Sequence, residues 1–436
     1  MTEGSTGSAA FAELLARRRR LLGGNLRLSY RDPLHIVRGS MQYLWDADGR
    51  RYLDAYNNVP HVGHCHPRVV QAGQAQMAQL NTNTRYLYES INTYAERLGA
   101  TLPGALKVCY FVNSGSEANE LALRLARALT RQRDLVVLEH AYHGNTTTLI
   151  DVSPYKHAGP GGTGPAPWVH VAPLPDLYRD AAADAATRSL PPLAQIIERL
   201  RERGTGLCGF LAESWPSVAG QLRLPGEYVQ QAYAMVRAAG GLCIADEVQT
   251  GYGRLGEHFW GFEFYGVVPD IVVLGKPIGN GHPIGAVVTT AEIARSFDNG
   301  MEFFSTFGGN TVSCAVGLAV LDVLAAEGLQ GHAHAVGARL LAQLRGLQQR
   351  HALVGDVRGS GLFLGMELVT DRDTRAPATQ ATTAVVNRMR ELGVLMGTEG
   401  PHHSVLKIRP PLPFTAQDAD FLTEALDRAL ASAGSN

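Results

Sequence analysis

Two ionisable residues at the ends of apolar runs carry the strongest chemical signal in the chain. Asp246 follows the apolar run 242–245, and Lys276 follows the run 271–274 after one glycine. Open α/β sheets hold their ligands at the carboxyl ends of the strands, so both side chains are expected at one site. A lysine that forms a Schiff base and an aspartate that keeps a pyridinium nitrogen protonated suit pyridoxal phosphate (PLP), an electron sink. A lone lysine in this position is more often a solvated strand end, so the interpretation depends on the other motifs.

Further segments near predicted strand ends have the composition of an anion or cofactor site. Asn113-Ser-Gly-Ser-Glu-Ala118 precedes a predicted helix, and its small residues let backbone amides approach an anion at the helix N-terminus. Ser116 adds a hydroxyl, although Ser is also a common helix cap. Tyr142 follows the next strand, where its ring could cover a flat cofactor or pack in the core. The Gly-rich loop 303–310 could hold phosphate or form a plain turn.

Alternating apolar strands and helices position these motifs. Strands are predicted at residues 107–112, 135–138, 209–212, 242–245, 271–274 and 285–289, and helices at 116–130, 227–239 and 311–325. This alternation predicts an α/β fold with a mostly parallel sheet that is covered by helices on both faces.

The two chain ends have a different pattern. Residues 43–53 predict a hairpin with its turn at Asp48-Gly49, and residues 361–369 and 404–409 predict strands that helices flank. A chain of 436 residues suits a large domain plus a smaller one. We therefore predict a smaller α+β domain built from both chain ends. Its two parts are residues 1–56 and 327–436, and the large domain is residues 57–326.

Composition and charge are those of an ordinary soluble globular protein. Apolar residues make up 45% of the chain and the formal net charge is −1, so neither nucleic acid nor a membrane is expected as a partner. The arginine run 17–20 is interpreted as the solvated face of an N-terminal helix. The chain shows no long uncharged apolar stretch and no signal core, and its five cysteines are scattered. This pattern predicts a cytoplasmic protein with reduced thiols. The histidines lack ligand spacing, so we expect no metal site.

Taken together, the motifs resemble those of the class III (subgroup II) aminotransferases, which are fold-type I PLP enzymes. The resemblance covers nearly the whole chain. It rests on Gly63-His-Cys-His-Pro67, Asn113 to Ala118, Tyr142-His-Gly144, Asp246 to Arg254, Gly275-Lys-Pro277, Thr306 and Pro410-Pro-Leu412. It implies an α/β fold with a mostly parallel seven-stranded sheet, PLP as the cofactor, and a homodimer that could pair again into a tetramer.

The resemblance also assigns a role to each matching residue. Lys276 would carry the cofactor as an internal aldimine and act in catalysis, and Asp246 would pair with the pyridinium nitrogen. Tyr142 would stack on the ring, and Gln249 would lie near the phenolic oxygen. Glu213, at the end of the strand 209–212, belongs to the same implied cofactor site.

The implied site for the cofactor phosphate spans two subunits. Gly115 and Ser116 would bind the phosphate from one chain, and Thr306 of the partner subunit would join them. Because Thr306 acts across the interface in this family, the resemblance implies that the smallest functional unit is a dimer.

The substrate side of the site departs from an ordinary aminotransferase. Members of the family hold the substrate carboxylate with an arginine placed shortly before the paired prolines, because a guanidinium matches a carboxylate in bidentate fashion. Here that position is Lys407, and an arginine stands instead at Arg409 on the same predicted strand face. A lysine is a poor bidentate clamp but an ordinary phosphate ligand. The glutamate that some members keep soon after Glu213 is replaced by Val218. We therefore expect no carboxylate to neutralise these cations.

These departures, together with residues 80–88 and 279–283, resemble a narrower branch, the ethanolamine-phosphate and phosphohydroxylysine phospho-lyases. In that branch a phosphorylated amine loses phosphate by carbon–oxygen cleavage instead of being transaminated. The substrate phosphate would then be held by Lys407, Arg409, Arg85 and His61. The implied substrate is phosphoethanolamine, which would yield acetaldehyde, ammonia and phosphate.

Two other functions fit parts of the sequence. A class III ω-aminotransferase that uses pyruvate or glyoxylate as amino acceptor would need the same cofactor residues, so Lys407 and Val218 alone discriminate against it. A non-catalytic PLP-binding protein is the third alternative. The presence of Lys276, Asp246 and Gln249 together argues against it.

Overall fold

A computed structural model of the chain describes residues 4–180 and 185–434. The helices are α1 (Gly4–Leu21), α2 (Pro67–Gln79), α3 (Glu89–Ala100), α4 (Gly115–Thr130), α5 (Thr147–Asp151), α6 (Pro154–His157), α7 (Ala185–Glu202), α8 (Gly226–Ala238), α9 (Ala291–Phe297), α10 (Thr311–Ala326), α11 (Leu329–Arg350), α12 (Thr379–Glu391) and α13 (Ala416–Ala433). The strands are β1 (Ile36–Ser40), β2 (Tyr43–Asp46), β3 (Arg51–Asp54), β4 (Val108–Val112), β5 (Asp134–Leu138), β6 (Val169–Ala172), β7 (Leu207–Glu213), β8 (Leu242–Asp246), β9 (Ile271–Leu274), β10 (Gly285–Thr289), β11 (Val354–Ser360), β12 (Phe363–Asp371), β13 (Ala376–Pro377), β14 (Val394–Leu395), β15 (Gly397–Glu399) and β16 (Val405–Ile408).

A seven-stranded sheet forms the centre of the described chain, with strand order β4-β10-β9-β8-β7-β5-β6. Strand β10 runs antiparallel to both neighbours, and the other pairs in the sheet are parallel. Strands β7, β9 and β10 are buried along their whole length, which explains why their sequences are mainly apolar. The predicted α/β fold with a mostly parallel seven-stranded sheet is confirmed.

Helix α4 connects the central sheet to the residues that we predicted to bind an anion. Ser114 caps it, since the Ser114 hydroxyl accepts a hydrogen bond from the Glu117 amide at 3.1 Å. Leucine and alanine at helical spacing then bury one face, including Leu121 and Leu125, against the sheet. Burying each such leucine contributes about 1.5–3 kcal/mol, so this face fixes the helix start relative to the strand ends.

Two smaller sheets contain the strands near the chain ends. One has the order β1-β2-β3-β14, and its parallel pair of β3 with β14 joins the N-terminal hairpin to the C-terminal part of the chain. The other has the order β11-β12-β16-β15, with β13 paired to β12. The predicted hairpin of residues 43–53 is confirmed as β2 and β3. The domain boundaries given above stay predictions.

Within the described ranges, no single helix has the length and hydropathy of a membrane span. Helices α10 and α11 have that length and hydropathy only when they are taken together, and a bend of 60° separates them.

Candidate active site

A cavity of about 360 Å³ lies at the ends of the central strands. Glu213 ends β7 and Asp246 ends β8, and the two residues are register partners. Lys276 lies just beyond the end of β9, which is paired in parallel with β8. All three side chains line the cavity together with the start of α4 and Tyr142. The carboxyl ends of adjacent strands thus bring together the two ionisable residues that the sequence marked out.

The Asp246 carboxylate is held in a fixed orientation. Its Oδ2 atom lies 2.9 Å from the Asn119 amide nitrogen and 2.9 Å from His143 Nδ1, and its Oδ1 atom accepts from the Val248 amide at 3.1 Å. His143 is buried, and its Nε2 atom has no hydrogen-bond partner among the described residues. The carboxylate therefore faces the cavity from a rigid, polar support.

Lys276 lies in a tight turn with an unusual backbone. It begins the short 3-10 helix Lys276–Gly279 and has a φ of 26°, in the left-handed region that side chains other than glycine seldom adopt. Burial lowers the pKa of the Lys276 amine, and the nearby Arg409 guanidinium lowers it further. The buried site therefore favours the neutral amine, which is the nucleophilic form.

The start of α4 forms a close backbone cradle. A Cβ atom added to Gly115 would lie 2.9 Å from Val248 Cγ2, and one added to Gly275 would lie 3.1 Å from the Gly115 nitrogen. The Ser116 hydroxyl accepts from the Asn145 amide at 3.2 Å and lines the cavity. Backbone amides and a hydroxyl at a helix N-terminus are the donors that an anion such as phosphate requires.

Tyr142 and Glu213 complete the cavity lining next to Asp246. Tyr142 lines the cavity, and its ring meets that of Tyr155 edge to face, with centroids 6.1 Å apart. Glu213 accepts from the Ser217 amide at 3.0 Å. Burial raises the pKa of Glu213 to about 7, against the opposing effect of nearby His143. Glu213 is thus a buried carboxyl group that titrates close to neutral pH.

Gln249 links the cavity to the region of the two predicted substrate cations. Its Oε1 atom accepts from Asn58 at 2.7 Å and from Arg409 Nη1 at 2.8 Å. Arg409 also donates to the Ser217 hydroxyl at 2.6 Å and is 3% exposed. The guanidinium therefore lies against the cavity lining in a fixed position.

The prediction that no carboxylate neutralises Lys407 and Arg409 is wrong. Glu399 of β15 accepts a hydrogen bond from the Lys407 ammonium, and its Oε1 atom lies 3.5 Å from Arg409 Nη2. The Gly400 amide donates to the Val218 carbonyl at 2.8 Å, so β15 brings its glutamate next to position 218. Glu399 on β15 therefore supplies the negative charge that Val218 cannot supply. Both cations thus contact one carboxylate, although Arg409 lies one residue beyond the end of β16.

The structure does not place His61 in the cavity, and we withdraw it as a phosphate ligand. Its Nε2 atom lies 2.7 Å from the Tyr252 carbonyl, and its Nδ1 atom lies 3.1 Å from Arg254 Nη2. Complete burial lowers the pKa of His61 well below its usual value, and the Arg254 charge adds to this effect. With both ring nitrogens occupied and the ring neutral, His61 supports Arg254 and does not attract an anion.

Arg85 and Thr306 lie outside the cavity of their own chain. Both residues are exposed, and neither lines the cavity. Arg85 Nη2 is 3.7 Å from Glu302 Oε1, and the Arg85 guanidinium lies 4.3 Å from the centroid of the Phe304 ring. Arg85 therefore packs on the loop that carries Thr306, and the two residues form one surface.

Pattern analysis missed three side chains of the site, namely Asn119, His143 and Glu399. His143 directly follows Tyr142 in a segment that we had singled out, and Asn119 lies one turn into α4, so both were within reach of the sequence. Glu399 could not be found from the sequence, because β15 has only three residues and its pairing with β16 leaves no periodic signal.

Sequence and structure comparisons identify the family of the chain. The profile of the family described as aminotransferase class-III matches residues 29–430. The chain belongs to the class III aminotransferase family. It is 48% identical to the alanine–glyoxylate aminotransferase 2-like protein of Drosophila melanogaster, over 97% of this chain and 89% of that protein. It is 41% identical to ethanolamine-phosphate phospho-lyase homolog 1 of Caenorhabditis elegans, over 96% of this chain and 93% of that protein.

A solved structure gives a further comparison for this class III protein. A phospholyase from Arthrobacter in complex with phosphoethanolamine matches with a TM-score of 0.92 and 44% identity, over 96% of this chain and 99% of that chain. The chain is thus a fold-type I PLP enzyme, as the sequence motifs predicted.

The cavity of this class III enzyme fits PLP. The absence of side chains at Gly115 and Gly275 lets the start of α4 pack closely against Val248 and the turn after β9. Gly115 and Ser116 line the cavity there, so backbone amides and the Ser116 hydroxyl can donate to a phosphate. Asp246 offers a buried carboxylate for a pyridinium, and Lys276 offers an amine for covalent attachment. We assign these residues to PLP on that chemistry.

Proposed function

We propose that this class III enzyme is a phospho-lyase that eliminates phosphate from phosphoethanolamine, with acetaldehyde, ammonia and phosphate as products. The observation that carries the proposal is the largely buried pair of cations, Lys407 and Arg409, of which Arg409 adjoins the cavity through Gln249. A lysine and an arginine suit a phosphate better than they suit a carboxylate, which favours one bidentate guanidinium. The phosphoethanolamine complex of the related Arthrobacter phospholyase supports the same substrate class.

The proposed reaction begins with a proton transfer by Lys276. Bound PLP supplies an electron sink for the carbon that carries the substrate amine. The Lys276 amine, whose pKa is lowered by burial and by Arg409, removes the proton from that carbon. Asn119 and His143 hold the Asp246 carboxylate in place at the cavity wall. Its negative charge would favour a protonated nitrogen in the ring of bound PLP.

The carbon–oxygen bond then breaks, and its electron pair leaves with the phosphate. We infer that Lys407 and Arg409 stabilise this charge, because Arg409 is held against Gln249 of the cavity lining and preorganised donors lower the barrier without reorganisation. Water adds to the remaining two-carbon fragment, which releases ammonia and acetaldehyde. No amino acceptor is consumed in this sequence of steps.

We also propose that the enzyme acts as a homodimer in which Thr306 and Arg85 serve the site of the partner subunit. Exposed apolar side chains surround these two residues, as in a surface that another molecule covers. They are Met77, Leu80, Tyr86, Leu87, Met301, Phe304 and Phe307. Light scattering tests the dimer. Thr306→Ala should weaken PLP binding although Thr306 lies outside its own cavity.

An ω-aminotransferase that uses pyruvate or glyoxylate is the alternative function. The observation that favours it is the 48% identity to the alanine–glyoxylate aminotransferase 2-like protein. The two functions share Lys276, Asp246 and the start of α4, so the cofactor site does not discriminate between them. They differ in whether a keto acid is needed for turnover.

The test is an incubation of the PLP-loaded enzyme with phosphoethanolamine in the absence of any keto acid, followed by assay of phosphate, ammonia and acetaldehyde. The phospho-lyase releases all three continuously. An aminotransferase releases none of the three, because it moves the amino group onto its cofactor once, leaves the carbon–oxygen bond intact and then needs pyruvate or glyoxylate to continue.

A further inference from the structure

The buried cluster of Glu399, Lys407 and Arg409 combines two positive charges with one negative charge. The Glu399 side chain is 11% exposed, and its Oε1 atom accepts from the Lys407 ammonium and lies 3.5 Å from Arg409 Nη2. The Lys407 Nζ atom also lies 5.5 Å from the centroid of the Tyr56 ring. Without Glu399, two adjacent and largely buried cations would lose the carboxylate that contacts both of them, which is a costly arrangement.

Glu399 and a phosphate would compete for the same donors. The carboxylate occupies the two cations that the proposed substrate phosphate needs. A phosphate carries up to two negative charges and three acceptor oxygens, so it neutralises the pair more completely than one carboxylate does. With the phosphate in place, Glu399 either turns away from the cations or stays as a like charge beside the phosphate. In both arrangements Glu399 opposes anion binding.

We propose that Glu399 is an internal counter-ion of the phosphate site, which binds Lys407 and Arg409 when the site is empty and promotes release of the phosphate product. This role rests on the proposed phospho-lyase function. Glu399 keeps the two cations in place between turnovers, and its return to them offsets the loss of their contacts with phosphate. Because it acts through these cations, it is a positioning residue and not a catalytic one.

The direction in which the affinity for phosphate changes when Glu399 is replaced distinguishes this role from a merely structural one. If Glu399 only held Lys407 in position, its replacement would weaken phosphate binding. If it competes with phosphate, replacement by the uncharged, similarly sized glutamine strengthens binding. We therefore expect Glu399→Gln to lower the Kd of inorganic phosphate by at least about fivefold, the lower end of typical coupling between two sites.

The experiment is isothermal titration calorimetry of inorganic phosphate into the PLP-loaded enzyme, wild type against Glu399→Gln. Glu391→Gln is the matched control, because it removes an exposed glutamate that pairs with Arg388 on the surface. It should leave the Kd unchanged. Inhibition by phosphate provides a second readout, and Glu399→Gln should lower the inhibition constant by the same factor as the Kd.

An unchanged or higher Kd in Glu399→Gln overturns the counter-ion role, and a decrease smaller than about fivefold counts as unchanged. If the glutamine variant does not retain PLP, Glu399→Ala takes its place, with the same expected sign. Failure of the proposed function looks different, since wild-type enzyme would then release no phosphate from phosphoethanolamine. The titration with inorganic phosphate decides on Glu399 separately, and a lack of phosphate binding to wild type and Glu399→Gln alike also overturns the counter-ion role.

Discussion

His143 contacts the Oδ2 atom of Asp246 through its Nδ1 atom, at a distance of 2.9 Å, and both side chains are buried. Asn119 reaches the same oxygen at 2.9 Å. A carboxylate without such donors could rotate or draw water into the site. These two contacts therefore turn Asp246 into a fixed negative charge that faces the cofactor cavity.

Replacement of His143 should lower activity without removing any group that contacts substrate. We expect His143→Ala to reduce kcat by about tenfold to a hundredfold, since one hydrogen bond to a charged group contributes about 1.5–3 kcal/mol. His143→Asn should recover part of the loss, because its side-chain amide can donate from nearly the position of Nδ1. Unchanged kcat in His143→Ala, at unchanged PLP content, would show that Asp246 needs no support from this residue.

Lys276→Ala should abolish turnover and covalent attachment of PLP. The substitution removes both the amine that binds the cofactor and the base that moves the substrate proton. The absorption spectrum of the purified protein reports the attachment, and an assay of phosphate release reports turnover. Activity with an unshifted cofactor spectrum would refute the assignment of Lys276.

Asp246→Asn should retain covalent PLP but lower the rate by several orders of magnitude, because an uncharged partner no longer favours a protonated ring nitrogen. The fold should persist, since asparagine keeps the shape of the side chain and can still accept from the Val248 amide. Kinetics at matched PLP content provide the measurement. A loss of less than about tenfold, or roughly 1.4 kcal/mol of barrier, would assign the role to another group.

The pH profile should report the charge of Lys407. Burial and the nearby Arg409 charge, which Glu399 opposes in part, together lower the pKa of Lys407 to about 8. Because a lysine is cationic below its pKa, attraction for phosphate is present below about pH 8 and is lost as the pH rises through that value. We expect kcat/KM for phosphoethanolamine to fall above about pH 8.

Lys407→Arg provides the control for this profile, because a guanidinium keeps its charge throughout this range. The variant should lose the decline above about pH 8 even if its overall rate is lower. Four other groups near Lys407 stay in place in the variant, namely Lys276, Arg409, Glu399 and Tyr56. The same decline in Lys407→Arg would assign the titration to one of them.

The central sheet could be predicted because its strands have an unambiguous pattern. Residues 271–274 and 285–289 are continuous apolar runs, and β9 and β10 have these bounds in the structure. The meeting of Asp246 and Lys276 follows from the same pattern, since parallel neighbours end at one edge of the sheet. Strand β6 was missed because it is short and has His170 in its middle.

The substrate side could not be predicted to the same degree, since its contacts join segments far apart in the chain. His61 has the right type for a phosphate ligand, yet Arg254 and the Tyr252 carbonyl occupy its ring nitrogens. Lys407 and Arg409 were found from the sequence, whereas their partner Glu399 depends on the pairing of β15 with β16. Local patterns do not encode which distant carboxylate meets a buried cation.

Phosphate release from phosphoethanolamine without a keto acid tests the proposed function most directly. We expect phosphate, ammonia and acetaldehyde in equal amounts over many turnovers. Lys407→Ala should reduce kcat/KM by about 2–4 kcal/mol of transition-state stabilisation, with PLP content unchanged. The contrary result is no phosphate release in wild type together with ready amino transfer to pyruvate or glyoxylate. That outcome would identify the protein as an aminotransferase and remove the phosphate role of Lys407.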